Sequence, residues 1–196
     1  MSIKDIALIM ISEIYRHKCW TDTDWVYIQG LSEAIENVPI NYIRDCNEKK
    51  QFHLERVFSY ELYYRWSRLL NNRKKNPEKV FLNAELVKHY DNSKQFKFPD
   101  MVLHGDYANR EKQFIICEIK SSRNQIDNDS LRKDVESLYE GVKGLSYHCA
   151  VFIYLGDRVN NIVSKLRGYL RAYENYEEGR YLFIGVSCGA SYYEIL

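Results

Sequence analysis

Three residues whose types and spacing could do chemistry stand where two short apolar runs begin and end: Asp100, Glu118 and Lys120. Pro99-Asp100 opens the run Met101-Val102-Leu103, and a polar loop follows from Gly105 to Glu111. The second run, Phe114-Ile115-Ile116-Cys117, delivers Glu118-Ile119-Lys120. Both runs are short and apolar, the second rich in β-branched and aromatic residues, and both are bounded by turn formers, so they read as neighbouring strands of a hairpin. Side chains alternate along a strand, which points Glu118 and Lys120 to one face and Ile119 to the other. An E-x-K triplet after an apolar strand is common, because strands often end in charge. The upstream aspartate on a paired strand sets this one apart. Charge at the ends of core strands is costly unless it is paired or holds a metal.

The elements that must carry these residues follow from periodicity. Ile3, Ile6, Ala7, Met10 and Ile14 fall at helical spacing over residues 3–18, as core or as a dimer seam. A short helix is expected near Ser32–Asn37, ending before Pro39, and a longer one from about Gln51 to Leu70. Strands are expected at Val80–Val87, Phe96–His104 and Gln113–Lys120. Next come a helix over Asp129–Val142 capped by Asn128 or Asp127, an apolar strand Tyr147–Leu155, a helix Asp157–Tyr173 and a last strand Tyr181–Val186. His104 ends the strand that Asp100 opens, four residues on and on the same face. It either holds a phosphate or caps the strand.

Pro-Asp followed eighteen positions later by Glu-x-Lys resembles the active-site motif of the PD-(D/E)XK nuclease superfamily. The predicted order of helix, three strands, helix and strand is similar to that superfamily's restriction-endonuclease-like fold. The resemblance implies an α/β fold with an α-β-β-β-α-β core, a mixed central sheet, an extra C-terminal α-β and N-terminal helices. It has motif support over residues 51–155 and fold-pattern support to Leu196. Residues 1–50 stand outside it, as a helical extension on a nuclease-like domain of residues 51–196.

By that resemblance Asp100 and Glu118 bind Mg²⁺, for which Mn²⁺ can substitute, and the Ile119 carbonyl completes the protein's share of the ligands. Hard cations prefer such oxygens. Lys120 orients the attacking water or stabilises the transition state. Many relatives carry a further glutamate on the helix before the sheet, and here helical phase separates two candidates. Phe58, Leu62, Trp66 and Leu69 lie within roughly 60° of Glu55, whereas Glu61 is about 120° away. Glu55 is therefore favoured as metal or water ligand over a salt-bridge role. The resemblance also points to Glu85 in Asn83-Ala84-Glu85-Leu86 and to Lys133-Asp134. Asp134 sits between Leu131 and Leu138 in helical register, so it could reach the sheet edge. The activity implied is Mg²⁺-dependent endo- or exonucleolytic hydrolysis of phosphodiester bonds, with DNA the expected nucleic acid. The alternative is a catalytically inactive module of the same fold that binds nucleic acid or a partner protein.

Composition bounds the remainder. The 196 residues are 45% hydrophobic and 28% charged, enough for one well-packed domain, and include seventeen tyrosines. A net charge of +1 gives no global basic field. Arg65, Arg68, Arg73-Lys74-Lys75 and Lys79 form a local basic cluster, either a solvated helix end or a set of phosphate contacts. Five scattered cysteines (Cys19, Cys46, Cys117, Cys149, Cys188) without a C-x-x-C pair argue against disulfides or zinc and for a reducing cytoplasm. No apolar run is long enough to enter a membrane as a helix, and Ile6–Ile11 lacks signal-peptide flanks. No separate recognition domain is visible, so specificity is low or comes from a homodimer or a partner protein.

Overall fold

The computed structural model describes residues 20–39, 54–72, 74–84, 88–89, 96–97, 99–105, 110–121, 127–156, 159–187 and 190–196. The helix expected over residues 3–18, Glu85, Arg73, Cys19, Cys46 and Cys188 lie outside the described residues.

Helix α1 spans Asp22–Glu36, well beyond the short helix expected at Ser32–Asn37. Its start is set by a capping box: Thr21 accepts from the Asp24 N–H at 3.2 Å, and the Asp24 carboxylate accepts from the Thr21 N–H at 2.8 Å. That polar first turn hides the helix from a search for apolar periodicity. Helix α2, Leu54–Leu70, buries Phe58, Leu62 and Trp66 completely, as the sequence pattern requires.

The strands are β1 (Phe81–Ala84), β2 (Lys88–His89), β3 (Phe96–Lys97), β4 (Met101–His104), β5 (Gln113–Ser121), β6 (Cys149–Leu155), β7 (Tyr181–Ser187) and β8 (Ala190–Ile195). Six of them form one mixed sheet in the order β1-β4-β5-β6-β7-β8. The β1-β4-β5 pairings are antiparallel, β5-β6-β7 are parallel, and β8 closes the far edge antiparallel to β7. The single strand expected at Phe96–His104 is instead two. Phe96–Lys97 pairs with β2 in a separate ladder, and β4 begins after Pro99, which has no N–H to continue a ladder. Of Val80–Val87, Phe81–Ala84 joins the main sheet. Strand β8 was not expected. It is a half-exposed edge in which Tyr193 is buried while Ser191, Tyr192 and Glu194 are not, a weak apolar signal.

Helices α3 (Asn128–Lys143) and α4 (Val159–Leu170) connect β5 to β6 and β6 to β7. The two crossovers step across the sheet in the same direction, so crossovers of one hand lay both helices on one face. There they cover Ile116, Phe152, Tyr154 and Phe183. Helices α1 and α2 cover the other face, over Ile115, Cys117, Ile119 and Ile153. Strand β6 is buried along its whole length, and Cys117 and Cys149 are free thiols inside the core. Gly141 permits a close approach of α3 to β5, because a Cβ there would lie 2.6 Å from Ile116 Cδ1. Among the described residues no helix is long and apolar enough to cross a membrane.

Candidate active site

The site is assembled at the C-terminal end of β5, where the parallel part of the sheet begins. Glu118 and Lys120 both point to the α3 face, while Ile119 is buried on the opposite side. Asp134 and Ser137 meet them from α3. Lys120 Nζ lies 2.9 Å from Asp134 Oδ2, and Ser137 Oγ donates to Glu118 Oε1 at 2.5 Å. Asp127 is the N-cap that starts this helix, accepting from the N–H groups of Asp129 and Ser130.

Asp100 immediately precedes β4. The antiparallel register pairs Met101 with Cys117, so one step further out Asp100 stands across from Glu118. Its Oδ2 accepts from the Ile119 N–H at 2.6 Å. Glu55 arrives from the other face of the sheet, on the first turn of α2. Its Oε2 accepts from the Ser121 N–H at 2.8 Å and lies 3.4 Å from the Ser121 hydroxyl. Strand β5 therefore ends inside a ring of four carboxylates contributed by α2, the start of β4, β5 and α3.

Electrostatics register this crowding. Burial is the largest influence on Asp100. The Ile119 N–H opposes it, the charges of Glu55 and Asp134 reinforce it, and the carboxyl is pushed up to about 6. Burial, then the charge of Asp100, hold Glu118 well above the usual carboxylate range despite the Ser137 hydrogen bond. Asp134 is raised chiefly by burial, although Lys120 pulls the other way. Burial works against the Lys120 ammonium, but Asp134, Glu55 and Asp100 together raise it above its ordinary value. Lys120 is thus a cation and a hydrogen-bond donor at neutral pH, not a proton acceptor.

Carboxylate oxygens are the ligand type that a hard divalent cation takes. Asp100, Glu118, Glu55 and Asp134 present carboxylate oxygens, and Lys120 is ion-paired with Asp134 and lowers Asp100 and Glu118 through its charge. The described hydrogen bonds engage one oxygen of Asp100 and one of Glu118. Among the described residues no three of His, Cys, Asp and Glu already close on a common point as a preformed cage.

Not every residue singled out from sequence belongs here. Glu61 pairs with Arg65 at 2.6 Å one helical turn on, whereas Glu55 reaches the end of β5 at Ser121. His104 is fully buried, with Nε2 2.7 Å from Asn83 Nδ2 and Nδ1 2.7 Å from the Gly105 carbonyl oxygen. A register shift between Leu103 and His104 breaks the alternation on which its shared face with Asp100 was argued. It is a core histidine at the strand end, not a phosphate ligand. Lys133 is exposed on α3 and takes no part, whereas its neighbour Asp134 does. Within the basic cluster Arg65 is held by Glu61, Lys75 by Glu33 at 2.7 Å, and Arg68 lies over the Tyr64 ring. What Ile119 supplies in the structure is its N–H, to Asp100.

Sequence reasoning missed Ser137 and Ser121. Ser137 follows Asp134 by three residues, so the two share a flank of α3 that lies about 100–120° round the helix from Leu131 and Leu138. The spacing from Asp134 was the available signal. No protein-family model matches the chain, and no curated protein matches it.

Proposed function

We propose that the protein is a metal-dependent phosphodiesterase of the restriction-endonuclease-like type, acting on nucleic acid, with DNA the expected substrate. The observation that carries this reading is the convergence of Asp100, Glu118 and Lys120 at one end of β5, ringed by Glu55 and Asp134. The meander β1-β4-β5 followed by the α3 crossover to β6 is the chain order such a core needs. Asp100 and Glu118 would hold a Mg²⁺ or Mn²⁺ ion, with Glu55 within reach of the same charge cluster. When bound, that ion supplies Lewis-acid stabilisation of the negative charge that builds on the phosphoryl oxygens.

The chain's own contributions are positional and electrostatic. Asp134 holds the Lys120 ammonium at the rim, where it can donate to a phosphate oxygen as charge develops. The Ile119 N–H fixes the Asp100 carboxylate against β5. Glu55, tied to the Ser121 backbone, keeps α2 docked against the strand end. Burial of the sheet on both faces lowers the local dielectric, which strengthens each of these interactions.

The test is incubation with plasmid, linear duplex and single-stranded DNA, and with RNA, in Mg²⁺ or Mn²⁺. Cleavage should occur in the parent and fall by ~10²-fold or more in Lys120→Ala and Glu118→Ala. Cleavage undiminished in both variants, or none with any substrate and either metal, would sink the proposal. In the second case an inactive binding module of the same fold takes its place.

A further inference from the structure

Helix α3 grips both ends of the Glu-x-Lys triplet from a single face. Asp134 takes Lys120, and Ser137, three residues later, takes Glu118. The first contact is an ion pair that mobile charges could re-form in several ways. The second is different: a short hydroxyl on a helix, 5% exposed, donating at 2.5 Å to a carboxylate that is itself 7% exposed. Both partners are enclosed, the serine side chain is short, and the helix backbone is pressed on β5 at Gly141. The hydroxyl therefore has little freedom to follow the carboxylate elsewhere.

We infer that Ser137 is a positioning residue for cation binding: its hydroxyl anchors one oxygen of Glu118 and so holds the carboxylate in place beside Asp100, which stands across from it. The inference rests on the metal-dependent reading given above and assigns a further residue to that site. A carboxylate ligand swings about its terminal torsions, and a ligand that must be ordered on binding costs affinity. A donor on the carboxylate's other oxygen removes that freedom in advance. Outer hydrogen-bond partners of metal-binding side chains typically govern 10–100-fold in affinity.

The experiment is direct Mn²⁺ titration, following free Mn²⁺ by electron paramagnetic resonance, of the parent chain, Ser137→Ala and Ser137→Thr. The parent should bind, Ser137→Ala should bind about 10–100-fold more weakly, and Ser137→Thr, which retains the hydroxyl, should recover most of the loss. Circular dichroism and melting in EDTA establish that each variant folds. If Ser137→Ala does not fold, Ser137→Cys carries the test, since it keeps the shape and weakens the donor. Equal affinity in parent and Ser137→Ala overturns the inference while leaving the metal site standing. A parent that binds no Mn²⁺ overturns both, and a loss that Ser137→Thr does not recover assigns Ser137 to packing.

Discussion

A carboxyl pushed up to about 6, as Asp100 is, states that the ring of acidic groups costs stability when nothing neutralises it. The causes are burial first, with the neighbouring charges of Glu55 and Asp134 against the Ile119 N–H. In the unfolded chain the same group sits near 3.8. The folded state then binds the extra proton between those values, so stability contributed by this group is present below pH ~4 and is lost as pH rises through ~6. Asp100→Asn keeps an acceptor for the Ile119 N–H and removes the charge. In EDTA at pH 7–8 it should melt above the parent, by up to ~3 kcal/mol on a shift of this size. Mn²⁺ should stabilise the parent and leave the variant unmoved. Differential scanning calorimetry at pH 4 and pH 7.5 with and without Mn²⁺ decides it. A variant less stable than the parent under all of these conditions would show that Asp100 is held for packing instead.

Among the elements, α3 matters most to the site, because it supplies Asp134 and Ser137 while contributing nothing to the sheet. Its distance from β5 is set at Gly141, where an added Cβ would meet Ile116 Cδ1 at 2.6 Å and Cγ2 at 3.1 Å. Alanine in a helix interior is worth ~1 kcal/mol over glycine, but overpacking a core contact costs ~1–3 kcal/mol. The net expectation for Gly141→Ala is destabilisation of ~1 kcal/mol, with Mn²⁺ affinity lowered because Ser137 is displaced one turn away. Adding Ile116→Val, which deletes the clashing Cδ1, should restore a good part of both. Urea denaturation and Mn²⁺ titration of the single and double variants test the coupling.

At the scale of the whole molecule, α1 and the start of β6 are joined at the opposite end of the sheet from the site. His148, just before β6, has Nδ1 2.8 Å from Asp24 Oδ1 of α1, across 124 residues of sequence. Asp24 is 1% exposed and also closes the Thr21 capping box. Burial alone would raise its carboxyl, yet the hydrogen bonds from His148 and from the Thr21 backbone and hydroxyl bring it below its ordinary value. A depressed acid stabilises the fold above pH ~4 and loses that contribution as the pH falls further. Asp24→Asn should therefore lower stability by ~2–4 kcal/mol at pH 7, through the weakened buried pair and cap. The gap between variant and parent should narrow in acid. Urea midpoints at pH 7 and pH 3 measure it, and a gap that stays constant would deny the charge any part. This clamp fixes α1 and, through Tyr27, Ile28 and Leu31, the core beneath β5.

By itself, the order of residues determined what lies within one element. The phase of Glu118 and Lys120 on a strand, of Glu55 on the buried stripe of α2, and of Leu131, Asp134 and Leu138 on α3 is written in local periodicity, which neighbouring residues enforce sterically. The interruption at Pro99, the capping box at Thr21 and the edge strand β8 were legible only weakly, because polar turns and half-exposed edges leave little apolar pattern. Tertiary structure alone decided which faces meet: that Glu55 ties to Ser121, that Ser137 anchors Glu118, and that His104 turns into the core. Those contacts join segments tens of residues apart. They are selected by burial and by the satisfaction of buried polar groups across the whole fold, a condition that no single stretch of chain can express.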